Sequence, residues 1–349
     1  MDTMLAGRLH LASGTFAVEE VPVPRPGPGE VLVKVEAAGV CLSDVHLIDG
    51  SLRPRSHPDG VITLGHEVSG VIHTPGPDLT GSWSPGTRVA LQAGQSCGEC
   101  DACRKRRPGC LAPRTRGVDY DGGWAEFALA REDTLCRIPD HLPFEQAAII
   151  PDAVSTPYAA VVATAQVRPA DAVAVWGAGG LGAHGIMVAR LAGAAPVIAV
   201  DPLPEARRRA ERLGADLALD PSDEGFVEAM WAATEGRGLR FAFDFAGVPA
   251  VREQAALCLG PGGTLVLVGI TRQPLVLSDG RRFGFLGNQI RGHYGSEPEH
   301  VEQLIRLVST GRLNLSGSVS DRLPLADAKE AVARLEHKTG NPIRIVLVP

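Results

Sequence analysis

Residues 177–182 read GAGGLG, a G-x-G-x-x-G run set between a short apolar segment, residues 171–176 (DAVAVW), and a helix-length stretch, residues 181–191. Gly177 permits a tight turn out of a strand, Gly179 lets the backbone come close to a ligand, and Gly182 lets the following helix pack against the strand. The first N–H groups of that helix, those of Gly180 and Leu181 among them, have no intrahelical acceptor and carry the positive end of the helix dipole. A pyrophosphate is the group such a loop accepts. Asp201 ends the next apolar segment, nineteen residues after Gly182. A carboxylate there can accept hydrogen bonds from the adenosine ribose. The bland alternative is a glycine-rich turn with a surface aspartate.

The segments around this loop alternate in type. Apolar runs at 197–200, 241–245 and 264–268 read as buried strands, and 205–213 and 251–259 read as helices. Strands alternating with helices predict a parallel, doubly wound α/β sheet over residues 154–295. Before it, residues 31–37 (VLVKVEA) alternate apolar and polar as a half-buried strand does, and 68–72 and 88–91 look similar. A β-rich domain over 1–153 is expected, completed by 296–349 with a helix at 298–310 and a strand at 343–348. A length of 349 residues suits two cores.

The net charge of −6 argues against nucleic acid or an anionic membrane as a general partner. No segment reads as a membrane span or a signal peptide, so a soluble, cytoplasmic protein is expected. Seven cysteines in such a chain point to metal ligation rather than disulfides. Cys97, Cys100, Cys103 and Cys110 lie within fourteen residues (CGECDACRKRRPGC). Four thiolates can close around one tetrahedral Zn²⁺ and leave no open position, so that site is expected to be structural. The basic run 104–107 inside the loop reads as a solvated face.

Two further clusters stand earlier: Cys41, Ser43, Asp44 and His46 in GVCLSDVH, and His66 and Glu67 in GHEVSG. Singly, each has a bland reading as a core Cys, a surface His or a loop Glu. Together, in this order with the cysteine lobe and the glycine loop, they resemble the zinc-dependent alcohol dehydrogenases of the medium-chain dehydrogenase/reductase family. The resemblance runs from PGPGEVLVKVEAAGVC to the closing GNPIRIVL.

The resemblance implies a GroES-like catalytic domain joined to a Rossmann cofactor domain. It also implies a hydride transfer between an alcohol, with secondary alcohols or polyols favoured, and NAD(P). Cys41 and His66 match catalytic zinc ligands. The third ligand of the family is usually Cys; here Asp152 holds that place, with helix capping as its alternative. Glu67 matches an acid beside the metal, and Asp44 one that orients His66. A zinc with three protein ligands keeps one position for the substrate oxygen and lowers the pKa of bound water to roughly 7. Ser43 would take the hydroxyl proton and His46 pass it to solvent.

Thr156 matches a position beside the nicotinamide. Arg344 matches an arginine on the pyrophosphate, with a surface salt bridge as its alternative. Trp124 in GGWAEF would either wall the substrate pocket or fill a strand core. Two departures stand out: six residues separate Cys103 from Cys110 where the family has seven, and Leu42 stands where some members place an arginine. Asp201 followed by Pro202 favours NAD over NADP, against the arginines at 207–209. A homo-tetramer or homo-dimer is expected. Loss of Cys41, His66 and the lobe would have pointed to a zinc-free reductase, and loss of Ser43 and His46 to a non-catalytic nucleotide sensor.

Overall fold

Strand Glu30–Val40 is the spine of the first unit. Its apolar residues are buried on both faces over most of its length, and it pairs antiparallel with three partners: Glu67–Pro75, Phe127–Arg131 and Arg344–Val348. The computed structural model describes residues 2–55, 60–105 and 110–349. The chain forms two units, Met1–Ala153 with Ser296–Pro349 and Val154–Gly295.

In the first unit a seven-stranded sheet contains this spine, and Val319–Pro324 pairs parallel with Arg344–Val348 at one side. The hairpin Thr3–His10 and Thr15–Pro22 forms a separate sheet with Val61–Thr63. The core between them holds Leu9, Phe16, Ile62, Leu64 and Trp124. Trp124 is fully buried, donates from Nε1 to the Gly39 carbonyl at 3.0 Å and meets Phe16 edge to face. It is a core residue, which settles its sequence alternatives against a pocket wall. Its indole N–H finds an acceptor, as burial of a tryptophan demands.

The second unit holds six parallel strands in the order Leu217–Leu219, Val197–Val200, Val173–Trp176, Leu239–Asp244, Leu259–Leu267, Gln289–Gly292. Numbered along the chain this is 3-2-1-4-5-6, the doubly wound order, whose direction reverses between Val173–Trp176 and Leu239–Asp244. The glycine loop leaves the sheet at that reversal and opens the helix Gly180–Leu191. A Cβ on Gly182 would collide with the Gly177 carbonyl oxygen, so helix and loop can meet this closely only through glycine.

The sequence reading did not identify strands Leu217–Leu219 and Gln289–Gly292 or the helix Phe226–Ala233. Both strands lie at sheet edges; Leu217–Leu219 is only three residues long, and Gln289–Gly292 holds a single large apolar residue. It also left the helical run Phe144–Ala165 undescribed. That run has a mean hydropathy of 1.2, enough by length and composition to cross a membrane, but 72% of it is buried inside the protein as a core helix is. Within it, Ile150–Val154 and Ala160–Ala165 are wound as wider π turns.

Candidate active site

Three strand ends of the first unit arrive at one place. Register pairs Gly39 with Glu67 and Val40 with Ile345. Cys41 therefore follows one strand, His66 and Glu67 open the second, and Arg344 opens the third. Asp152 enters from the helical run, on the π turn Ile150–Val154. A wider turn rotates the side chains that follow it, and such turns recur at functional sites. Asp152 lies inside the helical run and does not cap it.

Ligand atoms of Cys41, His66, Glu67 and Asp152 all lie within 4.8 Å of one another. His66 Nε2 is 3.4 Å, and Cys41 Sγ 3.7 Å, from Asp152 Oδ2. Zinc bonded at about 2.0–2.3 Å to nitrogen, oxygen and sulfur sets tetrahedral neighbours roughly 3.3–3.8 Å apart. The donor set and its spacing therefore fit zinc. The charges fit as well. Three groups able to be anionic, Cys41, Glu67 and Asp152, face one guanidinium, that of Arg344, and the Asp44 carboxylate adds its charge beside His66. Burial pushes the Glu67 carboxyl up to about 7, with Arg344 pulling against it. Burial by itself would lower the His66 imidazole, yet Asp44, Asp152 and Cys41 hold it well above its usual value. Both groups draw in protons where positive charge is wanted, and a divalent cation would supply it.

Asp44 lies 3.7 Å from His66 Nδ1, too far for a hydrogen bond. Its oxygens accept instead from the Cys41 N–H at 2.9 Å and the Gly65 N–H at 3.3 Å. It thereby caps the helix Leu42–Ile48 and ties together the two loops that carry Cys41 and His66. Ser43 and His46 are three residues apart on that short helix, hence on one face. Ser43 Oγ is 3.7 Å from Cys41 Sγ.

Arg344, expected at the surface or on a pyrophosphate, is buried, with Nη2 2.7 Å from Glu67 Oε1 and 3.6 Å from both Cys41 Sγ and Asp152 Oδ2. The surface salt bridge is thereby corrected to a buried one. The sequence carried one unread signal of this contact, Gly39: a Cβ there would strike the Glu67 carboxylate.

In the cysteine lobe the four sulfurs also lie within 4.8 Å of one another, and all seven cysteines are free. Cys97 and Cys103 are 3.8 Å apart and Cys100 and Cys103 3.4 Å, close to the edge of about 3.8 Å of a zinc–thiolate tetrahedron. The Cys97 and Cys100 N–H groups donate to the Cys110 and Cys97 sulfurs. Backbone donors at Leu111 and Cys103 pull the Cys100 thiol down to about 6, while the Cys100 sulfur beside it pushes Cys103 up to about 11. The shortened gap still closes the tetrahedron. Of the basic run, Arg106 and Arg107 lie outside the described residues.

In the second unit, Asp201 Oδ2 accepts from the Ala178 N–H of the glycine loop and Oδ1 from the Leu203 N–H, each at 2.9 Å. Arg207 is tied to the Asp201 and Pro202 carbonyls and to Asp220 Oδ2 at 2.7–2.9 Å. Arg209 donates to the Ala178 carbonyl at 2.7 Å. Thr156 is buried, and its carbonyl oxygen lies 3.0 Å from His293 Nε2. His293, absent from the sequence candidates, also meets Thr164 Oγ1 at 2.8 Å.

Two family domains match the chain: the alcohol dehydrogenase GroES-like domain over residues 27–140 and the zinc-binding dehydrogenase domain over 180–310. It is 31% identical to L-threonine 3-dehydrogenase of Pyrococcus horikoshii, over 93% of both chains. It is 32% identical to the NDMA-dependent alcohol dehydrogenase of Amycolatopsis methanolica, over 98% of both. A Sinorhizobium meliloti protein solved with NADP superposes over 100% of both chains with a TM-score of 0.91 and 29% identity. The chain belongs to the zinc-dependent alcohol dehydrogenases of the medium-chain dehydrogenase/reductase family.

Removing the Arg344 guanidinium should strand a buried carboxylate. Arg344→Met is expected to destabilise the zinc-loaded protein by about 3–5 kcal/mol, and adding Glu67→Gln should return much of the loss. Thermal unfolding of the single and double variants measures this. Equal losses in both would show that the ion pair is not what Arg344 contributes.

Proposed function

We propose that the protein is an NAD-dependent dehydrogenase of secondary alcohols, with Cys41, His66 and Asp152 holding a catalytic zinc and the cysteine lobe a structural one. The observation that carries this reading is the convergence of those three ligand atoms beside Ser43. Zinc held there would draw electron density from the substrate oxygen, and the nicotinamide would accept the hydride. Ser43 Oγ would accept the substrate hydroxyl proton as it releases its own toward His46. His46, on the same helix face and partly exposed, returns it to solvent. Glu67 is held by Arg344 within reach of the ligand atoms, so it can lend or withdraw a carboxylate oxygen while the other ligands stay fixed.

The secondary-alcohol preference rests on Asp152 in the third-ligand place and on the threonine dehydrogenases among the relatives, because threonine carries its reacting hydroxyl on a secondary carbon. Residues 154–295 would act as the cofactor domain, the loop Gly177–Gly182 taking the pyrophosphate, Asp201 the adenosine ribose and Thr156 the nicotinamide end. A homo-dimer or a homo-tetramer is the expected assembly. Strand Gln289–Gly292 closes the six-stranded sheet without a further partner among the described residues, and Phe285, Tyr294 and Val276 stand exposed in the same unit. An open edge of this kind invites pairing with a second copy.

Elemental analysis should find about two zinc ions per chain, one for each ligand set. Asp152→Ala should abolish turnover and release one of them, the lobe being independent. Full activity with both ions retained would remove Asp152 from the ligand set.

Ser43→Ala should lower kcat roughly 10²-fold, the usual scale for losing acid–base participation, and His46→Gln should cost less because water can replace the far end of a relay. An unchanged kcat in Ser43→Ala rules the relay out.

For the cofactor, kcat/KM should be higher with NAD than with NADP. A 2′-phosphate would meet the Asp201 carboxylate, and Arg207, tethered to Asp220 and two carbonyls, is held from compensating. An equal or higher value with NADP, measured with one alcohol in one buffer, overturns the preference.

A further inference from the structure

His293 stands at the carboxyl end of the parallel sheet of the second unit. It follows strand Gln289–Gly292, and its N–H continues the ladder to the Leu267 carbonyl at 2.9 Å. The glycine loop leaves the sheet at the same end, after Val173–Trp176, and ligands of doubly wound sheets bind outside that end. The imidazole is half-buried and both its nitrogens are used. Nε2 lies 3.0 Å from the Thr156 carbonyl oxygen and Nδ1 2.8 Å from Thr164 Oγ1. A carbonyl oxygen only accepts, so Nε2 carries the hydrogen of that bond. In the neutral ring Nδ1 then receives the hydrogen of the Thr164 hydroxyl.

The helix by itself holds Thr156 weakly. Thr156 precedes Pro157 in the segment Ser155–Ala159, so the bonded carbonyl belongs to the Thr156–Pro157 peptide. Proline has no N–H to give to the preceding turn, its ring crowds the carbonyl four residues back, and it disfavours the α conformation of the residue before it. The Ala160 N–H reaches the Thr156 oxygen from within the helix, and the second lone pair of that oxygen takes the imidazole. Beyond it the winding widens into the π turn Ala160–Ala165, which carries Thr164. Helix carbonyls point toward the C-terminus and side chains lean toward the N-terminus, so one ring can span the Thr156 oxygen and the Thr164 hydroxyl. Arg291 Nη1, from the same edge strand, donates to the Thr164 carbonyl at 2.7 Å.

We propose that His293 is a positioning residue for the nicotinamide end of the cofactor: its Nε2–H fixes the Thr156–Pro157 carbonyl, and with it the place of Thr156 against the nicotinamide ring. The inference rests on the reading that Thr156 lies at that end. Because the backbone of His293 is bonded into the sheet, its ring lends the rigidity of the sheet to a stretch of helix that proline has loosened.

Calorimetric titration of the zinc-loaded protein with NADH, and separately with ADP-ribose, which lacks the nicotinamide, tests this. The unaltered protein should bind NADH more tightly than ADP-ribose. His293→Asn keeps an acceptor near the place of Nδ1 and loses the donor to Thr156. It should weaken NADH about tenfold, the upper scale of one hydrogen bond, and leave ADP-ribose unchanged. His293→Gln keeps a side-chain N–H at the reach of Nε2 and should bind NADH within about twofold of the unaltered protein. Thr164→Val unties the other nitrogen while His293 and Thr156 remain. It should weaken NADH alone, and it keeps the test decisive should His293→Asn fold poorly. NADH affinity unchanged in both His293→Asn and Thr164→Val overturns the proposal. So does ADP-ribose weakened as much as NADH, which marks a general structural role, and so does His293→Gln as impaired as His293→Asn. Equal binding of NADH and ADP-ribose by the unaltered protein overturns it as well, and in that case alone the placement of Thr156 at the nicotinamide end falls with it.

Discussion

The pairing register of strand Glu30–Val40 is the constraint on which the rest of the first unit depends. Side chains alternate with period two along a strand, so a slip of one residue against Glu67–Pro75 would turn Glu67 away from Arg344 and take the Gly39 gap from beneath it. The register is pinned from both faces by buried aliphatic residues such as Val31, Val33, Val35 and Val40. Core packing thus serves an electrostatic end. Two like charges 4 Å apart repel by about 4 kcal/mol at an effective dielectric of 20, and a whole domain is stable by only about 5–15 kcal/mol. Cys41, Glu67 and Asp152 around one guanidinium, with Asp44 beside His66, need either protons or a cation, and the sheet holds them together until one arrives.

The sequence was most legible where one residue type can do a job alone. The glycine run 177–182 announced the loop, Gly177 standing at positive φ and Gly182 where a Cβ would strike the Gly177 carbonyl, and four cysteines within fourteen residues announced a metal lobe. The doubly wound sheet was readable from its buried central strands, whereas its edges were not, since Leu217–Leu219 is too short to stand out and Gln289–Gly292 mixes polar and charged residues with one apolar one. Long-range partnership was the least legible. Arg344 lies 277 positions from Glu67, and nothing local to either residue states that they meet. Asp44, assigned to His66 by family position, stands 3.7 Å from its Nδ1 and also accepts hydrogen bonds from the amides of Cys41 and Gly65, a capping role that its third position in the helix allows.

The seven cysteines divide into chemically different populations by surroundings rather than by sequence. Burial pushes Cys136 up to about 11 and Cys258 up to about 12, which keeps both as inert thiols in apolar company. In the lobe, backbone N–H donors lower the Cys97 and Cys100 thiols and so favour the thiolate that a metal requires, and four sulfurs gathered within 4.8 Å of one another offer it a site. The same side chain is therefore packing material in one setting and a ligand in the other.

The interrupted first unit has a consequence for how the protein is made. Its metal cluster needs Arg344, and its spine strand needs Arg344–Val348 as a neighbour, yet both are translated after the whole of Val154–Gly295. The inserted unit draws its strands from one continuous stretch and can close while the ribosome is still working. The unit that begins the chain must wait, with Ala38–Val40 of its spine strand lacking a neighbour, until Arg344–Val348 emerges. Through that interval those three residues have an unsatisfied hydrogen-bonding edge, which the order of synthesis leaves open to other partners.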